Sequence, residues 1–373
     1  MIAVTHLLGT GHLARALTLA RAFDAAGDAV TVVSGGTAVD HFETTGLAFE
    51  QLPEVRSDGT DFTTLLDGNG QVASPAMRAA RQHRLLAILR DVQPDILITE
   101  LFPFGRRILR DEFIGLLRAG RDMAPTPVIL ASVRDILAPP GKPNKVTFAE
   151  DLTNRFYDGV LVHADPDVVR LDRSWPVSRS LEKRLYYTGF VAPAPPADHP
   201  SRQAGVLVSA GGGAVGDKVF AAACDAARLL PDIKWILLVG GPDARRTRLA
   251  AHAPENVRVQ APRADFRQLM AAAAVSVSMV GYNTAMDILQ TGVPAVLVPF
   301  DDGGEVEQGL RAEALTALRA ISLIRQDVLD GASLARAVSE LMTQSRRSPK
   351  TDGMDGATVS VEIAHRLHIE RVT

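Results

Sequence analysis

The stretch Ser278-Met279-Val280-Gly281-Tyr282-Asn283-Thr284-Ala285-Met286-Asp287-Ile288-Leu289-Gln290-Thr291-Gly292-Val293-Pro294-Ala295-Val296-Leu297-Val298-Pro299-Phe300 decides the fold of this chain. It begins at the end of a valine-rich run of strand length, Val275–Ser278, and Gly281-Tyr282-Asn283-Thr284 then reads as a helix start. Asp287 follows Asn283 by four residues and so shares its helical face, before Gly292-Val293-Pro294 stops the helix and Ala295–Pro299 forms another strand. Strand, helix and strand joined by short turns make a parallel βαβ unit, because parallel neighbours need a crossover of about this length.

The same rhythm runs outward in both directions. Toward the N-terminus, strands are expected at Gly205–Ser209, Lys234–Val239 and Val257–Gln260, with a helix at Asp217–Leu230. Further back come strands at Ile2–Val4, Ala29–Ser34, Leu47–Leu52, Asp95–Thr99, Val128–Ser132 and Gly159–His163, and helices near His12–Ala26, Pro75–Val92 and Arg106–Arg121. Gly27 and Gly46 stand where helix C-caps are expected. Between the halves, Val191–Ser201 concentrates four prolines in eleven residues, which suits neither a helix nor a central strand. The class is therefore α/β, with two Rossmann-like domains of parallel sheet. The expected divisions are an N-terminal domain at 1–190, a linker at 191–203, a C-terminal domain at 204–355, and a last helix at 356–373 packing back on the first domain.

Composition narrows the function. At 373 residues the chain exceeds one ordinary domain, and its 46% apolar content with 5% aromatics suits Ala/Leu/Val-rich helices on parallel sheets. A net charge of -3 gives no global attraction to polyanions, so no nucleic-acid partner is expected. The single cysteine, Cys224, falls in an amphipathic run and reads as a small buried apolar residue, which excludes disulfides and cysteine metal sites. Met1-Ile2-Ala3-Val4-Thr5-His6 runs straight into a glycine turn without signal-peptide character, and no apolar run has spanning length. The expected location is the cytoplasm, with peripheral contact at the inner face of a membrane left open.

Four places carry candidate chemistry. Leu8-Gly9-Thr10-Gly11-His12-Leu13-Ala14-Arg15 follows the first strand: Gly11 opens the helix start to an anion, and His12 is a candidate base or phosphate donor. The dinucleotide pattern GxGxxG is not met there, which disfavours an NAD enzyme. Glu100, at the carboxyl end of the fourth strand, faces the ligand crevice of an open sheet and is a second candidate base; pairing with Arg106 or Arg107 is its alternative. Arg134 and Asp135 lie on the same rim and suit an acceptor or each other. In the second half, Gly211-Gly212-Gly213 after a strand allow close backbone approach to a diphosphate, without the Lys-Ser/Thr of a P-loop. The helix start at Gly281, Asn283 and Thr284 can hold a phosphate and Asp287 a ribose diol; as alternatives, Asn283 suits an N-cap and Asp287 an exposed helix face. Arg78-x-x-Arg81-x-x-Arg84 reads as a solvated helix face, or, with Arg106, Arg107 and Arg110, as a basic face toward an anionic lipid or acceptor. The histidines, including His163, His365 and His368, lack metal-ligand spacing, so no bound metal is expected.

At these residues the chain resembles the GT-B glycosyltransferases, especially family 28, most specifically over Ala261–Glu313. The resemblance implies two Rossmann-like domains with sheets facing across a cleft, and transfer of a sugar from a nucleotide-diphosphate sugar to a small-molecule, glycan or lipid acceptor, with inversion and no other cofactor. It implies Asn283 or Thr284 near phosphate, Asp287 on ribose, and Gln308 and Glu307 at the donor sugar. The family's Asp-x-x-Gln-Gln becomes Asp301-Asp302-Gly303-Gly304-Glu305-Val306-Glu307-Gln308 here. The Gly9-x-Gly11-His12-x-x-Arg15 turn also resembles the start of nucleotide-sugar hydrolases of pseudaminic acid synthesis, whose histidine is catalytic. A hydrolase or epimerase of the same fold, and a non-catalytic nucleotide-sugar sensor, are the alternative readings.

Overall fold

The computed structural model describes residues 1–7, 10–39, 42, 44–58, 61–195, 205–210, 216–301 and 306–372. The chain forms two compact units, Met1–Ala192 with Gly353–Thr373, and Pro193–Asp352. In the first, chain order is β1 (Ile2–Val4), α1 (Gly11–Ala25), β2 (Thr31–Ser34), β3 (Ala48–Gln51), β4 (Val55–Asp58), β5 (Asp61–Asp67), α2 (Pro75–Val92), β6 (Ile96–Glu100), α3 (Arg110–Arg121), β7 (Val128–Arg134), α4 (Pro143–Phe156), β8 (Gly159–His163), α5 (Arg179–Glu182) and β9 (Leu185–Tyr187). In the second it is β10 (Gly205–Ser209), α6 (Asp217–Leu229), β11 (Lys234–Leu238), α7 (Asp243–Ala250), β12 (Val257–Gln260), α8 (Phe266–Ala272), β13 (Val275–Ser278), α9 (Tyr282–Thr291), β14 (Ala295–Leu297), α10 (Glu307–Leu315), β15 (Ile321–Leu323) and α11 (Gly331–Met342). The last helix, α12 (Gly356–Val372), belongs to the first unit.

Each unit is built on an all-parallel sheet: seven strands in the order β3-β2-β1-β6-β7-β8-β9, and six in the order β12-β11-β10-β13-β14-β15. In both, the chain winds one way from the first strand and the other way from its neighbour, so β1/β6 and β10/β13 are topological switch points. At such a point the flanking loops diverge and leave a crevice outside the carboxyl ends of the strands. The inner strands, β-branched and aliphatic, are buried on both faces, as parallel sheets require. The first core joins Ile2, Val4, Leu13, Leu17, Ile98 and Leu130 to Val361, Ile363 and Ala364 of α12.

The expected two Rossmann-like domains are present, and several expected details change. Gly27 has φ +94° just after α1 and closes it, whereas Gly46, at φ +87°, follows no helix and turns the chain into β3. Arg106–Arg121 is not one helix: Arg107–Leu109 is a 3₁₀ turn before α3. The antiparallel pair β4/β5 was not foreseen, nor were α4 and β9. Arg81 is not solvated but fully buried. It pairs with Glu112 at 3.0 and 3.1 Å and donates to the carbonyls of Gly35 and Pro53, so its donors are met inside the protein. A Cβ on Gly35 would lie 2.6 Å from that guanidinium, hence the glycine. Cys224 is buried on α6, where burial pushes its thiol pKa up. No helix among the described residues is long and apolar enough to cross a membrane.

Candidate active site

In the first unit, the β1/β6 switch point brings together His12, from the first turn of α1, and Glu100, the last residue of β6. His12 Nδ1 lies 2.9 Å from Glu100 Oε1, and Arg15, one turn along α1 from His12, donates to the same oxygen. Ser132 donates from β7 to Glu100 Oε2 at 2.6 Å. Arg15 Nη2 also comes within 3.2 Å of His12 Nδ1. An ionised carboxylate only accepts, so the imidazole proton sits on Nδ1 and points at Glu100, and Arg15 acts as a donor to the carboxylate. The Nε2 lone pair is then left over, and no described residue bonds it.

Electrostatics supports the same protonation. Burial is the largest influence on Glu100 and raises its pKa, but Arg15 and the hydrogen bonds from His12 and Ser132 outweigh it and hold the carboxyl well below the usual range. For His12, burial comes first and the charge of Arg106 second; together with Arg134 and Arg15 they outweigh Glu100 and set the imidazole well below its ordinary value. Near neutral pH the pair is therefore a neutral imidazole oriented by an anionic carboxylate, with a basic nitrogen on the far side.

The rim residues are placed as follows. Arg106 sits in a left-handed conformation, φ 58°, and its Nε donates to Thr5 O at 2.6 Å. Arg107 donates to Phe104 O, so the arginine on Glu100 is Arg15 and not Arg106 or Arg107, the partners that the alternative reading of the sequence named. Arg134 ends β7 half-buried, and Asp135 after it is buried. A Cβ on Gly11 would meet nothing within 4 Å, so that side of the turn is open.

In the second unit, α9 starts at the β10/β13 switch point. Gly281 is its N-cap, without a side-chain cap bond, which corrects Asn283 as an N-cap: Asn283 is exposed and Thr284 half-buried inside the first turn. First-turn amides have no acceptor within their own helix and carry the positive end of its dipole. Gly281, like Gly11, has open space where a Cβ would stand. Gln308 Oε1 accepts from the amides of Val280 and Phe300, at 3.0 and 3.1 Å, and so joins the loops after β13 and β14. Glu307 is buried at the start of α10. Gly211, Gly212 and Gly213 lie outside the described residues, as do Asp302 and Glu305.

Asp287 is buried rather than on an exposed helix face. Arg267 Nε donates to its Oδ1 at 2.7 Å, and the same guanidinium reaches Gln290 and the carbonyl of Ala194. Burial pushes its pKa up to about 6 against the pull of Arg267. Arg267 escaped the sequence reading because it comes from α8, a different element. Arg15 and Arg311 escaped too. Arg311 is buried, donates to Val280 O at 3.1 Å and lies over the Tyr282 ring at 6.0 Å. For Arg15 a signal existed: it follows His12 by three residues, the spacing of neighbours on one helical face.

Comparison with known proteins agrees with this architecture. Residues 211–367 match the family model of the glycosyltransferase family 28 C-terminal domain. An uncharacterized glycosyltransferase of Methanosarcina acetivorans is 24% identical over 316 residues, covering 80% of this chain and 79% of the relative. The UDP-N-acetylglucosamine--N-acetylmuramyl-(pentapeptide) pyrophosphoryl-undecaprenol N-acetylglucosamine transferase of Brucella anthropi is 33% identical over 143 residues, 36% of this chain and 38% of that one. Among solved structures, the calicheamicin glycosyltransferase CalG4 superposes with a TM-score of 0.63 at 18% identity, covering 99% of this chain and 96% of the other. With two Rossmann-like units, a match to the family 28 C-terminal domain over residues 211–367 and glycosyltransferase relatives along most of its length, the chain is a glycosyltransferase with the GT-B fold whose C-terminal part is similar to family 28.

Proposed function

We propose that the enzyme moves a sugar from a nucleotide-diphosphate sugar to an acceptor hydroxyl, with His12 as general base and Glu100 as the carboxylate that orients it. The observation that carries this reading is the buried His12–Glu100 pair, which commits Nδ1 and leaves Nε2 basic. Nε2 takes the acceptor proton as the oxygen attacks the anomeric carbon and the nucleoside diphosphate departs, a single displacement that inverts the configuration. Glu100 is less suited to be the base itself, because both its oxygens already accept hydrogen bonds and its proton affinity is low.

The donor is assigned to the second unit. Asn283, Thr284 and the open turn at Gly281 face the diphosphate. The first-turn amides stabilise the leaving group as negative charge builds, without a metal or other cofactor. Asp287 takes the ribose hydroxyls in competition with Arg267. With its Oε1 held by two backbone amides, Gln308 turns its amide donors to the sugar, beside Glu307. Gly11, Arg106, Arg134 and Asp135 line the acceptor side, for a small molecule, glycan or lipid. The proposed setting is the cytoplasm.

The test is a thermal-shift panel of UDP-, dTDP- and GDP-sugars, starting with UDP-N-acetylglucosamine, followed by measurement of released nucleoside diphosphate. Binding and acceptor-dependent release are expected, with release abolished in His12→Ala. Release of free sugar at full rate without acceptor would make the enzyme a hydrolase, and undiminished turnover in His12→Ala would remove the base.

A further inference from the structure

Below His12, four neighbouring strands end on one polar row. Glu100 and Ser132 are register partners across β6 and β7, and Arg134 and His163 across β7 and β8. Positions 132 and 134 share a face, so Glu100, Ser132 and His163 project from the same side of the sheet. Thr188 follows Tyr187 of β9, the partner of Val162, and continues the row. Ser132 Oγ, which donates to Glu100, is 2.9 Å from His163 Nε2, and His163 Nδ1 is 2.9 Å from Thr188 Oγ1. All four side chains belong to buried residues.

The proton positions follow by elimination. Glu100 is anionic and only accepts, so the single hydroxyl proton of Ser132 points to it. Ser132 must then accept from His163, which places the imidazole proton on Nε2. Burial, then the charge of Arg15, pushes the His163 pKa down to about 3 against the pull of Glu100, so this ring is neutral and its Nδ1 faces Thr188 Oγ1, whose single proton is shared with Gly189 O at 2.8 Å. From His163 through Ser132 to Glu100 the hydrogen bonds run one way.

We propose that Ser132 and His163, the latter seated against Thr188, are positioning residues for the transfer reaction, a one-directional hydrogen-bond row that holds Glu100 as a pure acceptor and so keeps Nε2 of His12 available to the acceptor hydroxyl. The assignment rests on His12 as the base. A row that served only to satisfy buried polar groups would leave the tautomer and proton affinity of His12 untouched; this one controls both. The charged groups facing His12 are Arg15 from its own helix, Glu100 from β6, Arg106 from the turn after β6 and Arg134 from β7. Against that positive surround, removing the Ser132 donor concentrates charge on Glu100, strengthens its pull on the His12 proton and raises the His12 pKa.

Nitrogen-15 imidazole NMR on the full chain tests this without any ligand, with the His12 signals assigned by their loss in His12→Gln. In the wild type, His12 is expected as the Nδ1–H tautomer and His163 as Nε2–H. Ser132→Ala should raise the His12 pKa by about half a pH unit or more. It should also lower kcat roughly tenfold, because Glu100 loses a donor that fixes its carboxylate against His12, with donor KM unchanged, on UDP-N-acetylglucosamine or whichever panel member is turned over. Ser132→Thr should restore both. His163→Gln, which keeps an N–H donor, should retain more activity than His163→Leu; if His163→Leu does not fold, Ser132→Ala, which removes one oxygen, decides alone. Wild-type His12 found as Nε2–H, or a folded Ser132→Ala with unchanged His12 pKa and kcat, overturns the proposal. Full turnover in His12→Ala would instead sink the base assignment, whereas an inactive His12→Ala beside a wild-type-like Ser132→Ala would leave the base standing and remove the row.

Discussion

His12 and Glu100 meet across 88 residues of sequence, and each is unremarkable without the other. A glycine-flanked histidine at a helix start is a common turn residue, and a glutamate at a strand end is a common partner for an arginine. Joined and buried, they form the pair proposed as an oriented base, and the substitutions that separate their roles differ. His12→Ala should lower kcat by about 10²- to 10⁴-fold with donor affinity unchanged, and Glu100→Gln should also lower it, because it removes the charge that holds the proton on Nδ1. Near-normal steady-state rates in Glu100→Gln would show that orientation is not its task. Since the His12 pKa is depressed, the protein carries the active neutral ring down to lower pH. The acid limb of kcat/KM should therefore lie below the ordinary histidine value of about 6.5. Asp287 titrates in the opposite sense. Its pKa is raised to about 6, so in the free protein it is protonated below that pH, and ribose hydroxyls donate best to the ionised form. Affinity for a nucleotide sugar, measured by calorimetry, should be flat above pH 6 and fall by up to about tenfold per pH unit below it. Asp287→Asn should abolish that dependence, and Asp287→Ala should weaken binding by about 1 to 3 kcal/mol. A pH-independent wild-type affinity would take Asp287 out of the donor site.

At the scale of elements, the proposed mechanism rests on two helix starts, α1 for the base and α9 for the diphosphate. Both leave a strand at a switch point, and both open with a glycine whose missing Cβ faces empty space. The two are used differently. On α1 the first turn presents a side chain, His12, whereas on α9 it presents exposed residues and the positive end of a helix dipole. If those amides balance the departing diphosphate, turnover should persist in EDTA at close to its initial rate. A complete loss that Mg²⁺ alone restores would mean that a cation performs that task, and the neighbouring Asp301 and Asp302 would be the first residues to test.

At the scale of the molecule, the chain returns to the unit where it began. α12 packs on α1, with Val361, Ile363 and Ala364 in the core that also holds Ile2, Leu13 and Leu17. His365 bonds Asp28 at 2.9 Å, and Arg371 donates to Pro127 O at 2.6 Å. Deleting 353–373 should therefore destabilise the first unit, by about 3 kcal/mol or more from the lost apolar burial alone. Because Pro193–Asp352 is untouched, nucleotide-sugar affinity should remain. Urea unfolding followed by Trp175, which lies in the first unit, reads the destabilisation, and an unchanged midpoint would contradict the packing.

The sequence by itself determined the layered α/β architecture and both Rossmann-like units. Strand and helix periodicity are local properties, written over five to fifteen neighbouring residues, and a parallel sheet buried on both faces states itself in uninterrupted apolar runs. His12, Glu100 and Asn283 were legible as candidates for the same reason, since each stands near a predictable end of a predictable element, and Asp287 because it follows Asn283 by four residues on one helical face. What each candidate touches was not legible. Arg15 rather than Arg106 on Glu100, Arg267 on Asp287, Arg81 drawn into the core by Glu112, and Ser132, His163 and Thr188 aligned under the base all depend on strand order and register. Those are set by packing between segments far apart in sequence, and only the tertiary structure decides which charged groups share a low-dielectric interior and therefore which protons they keep.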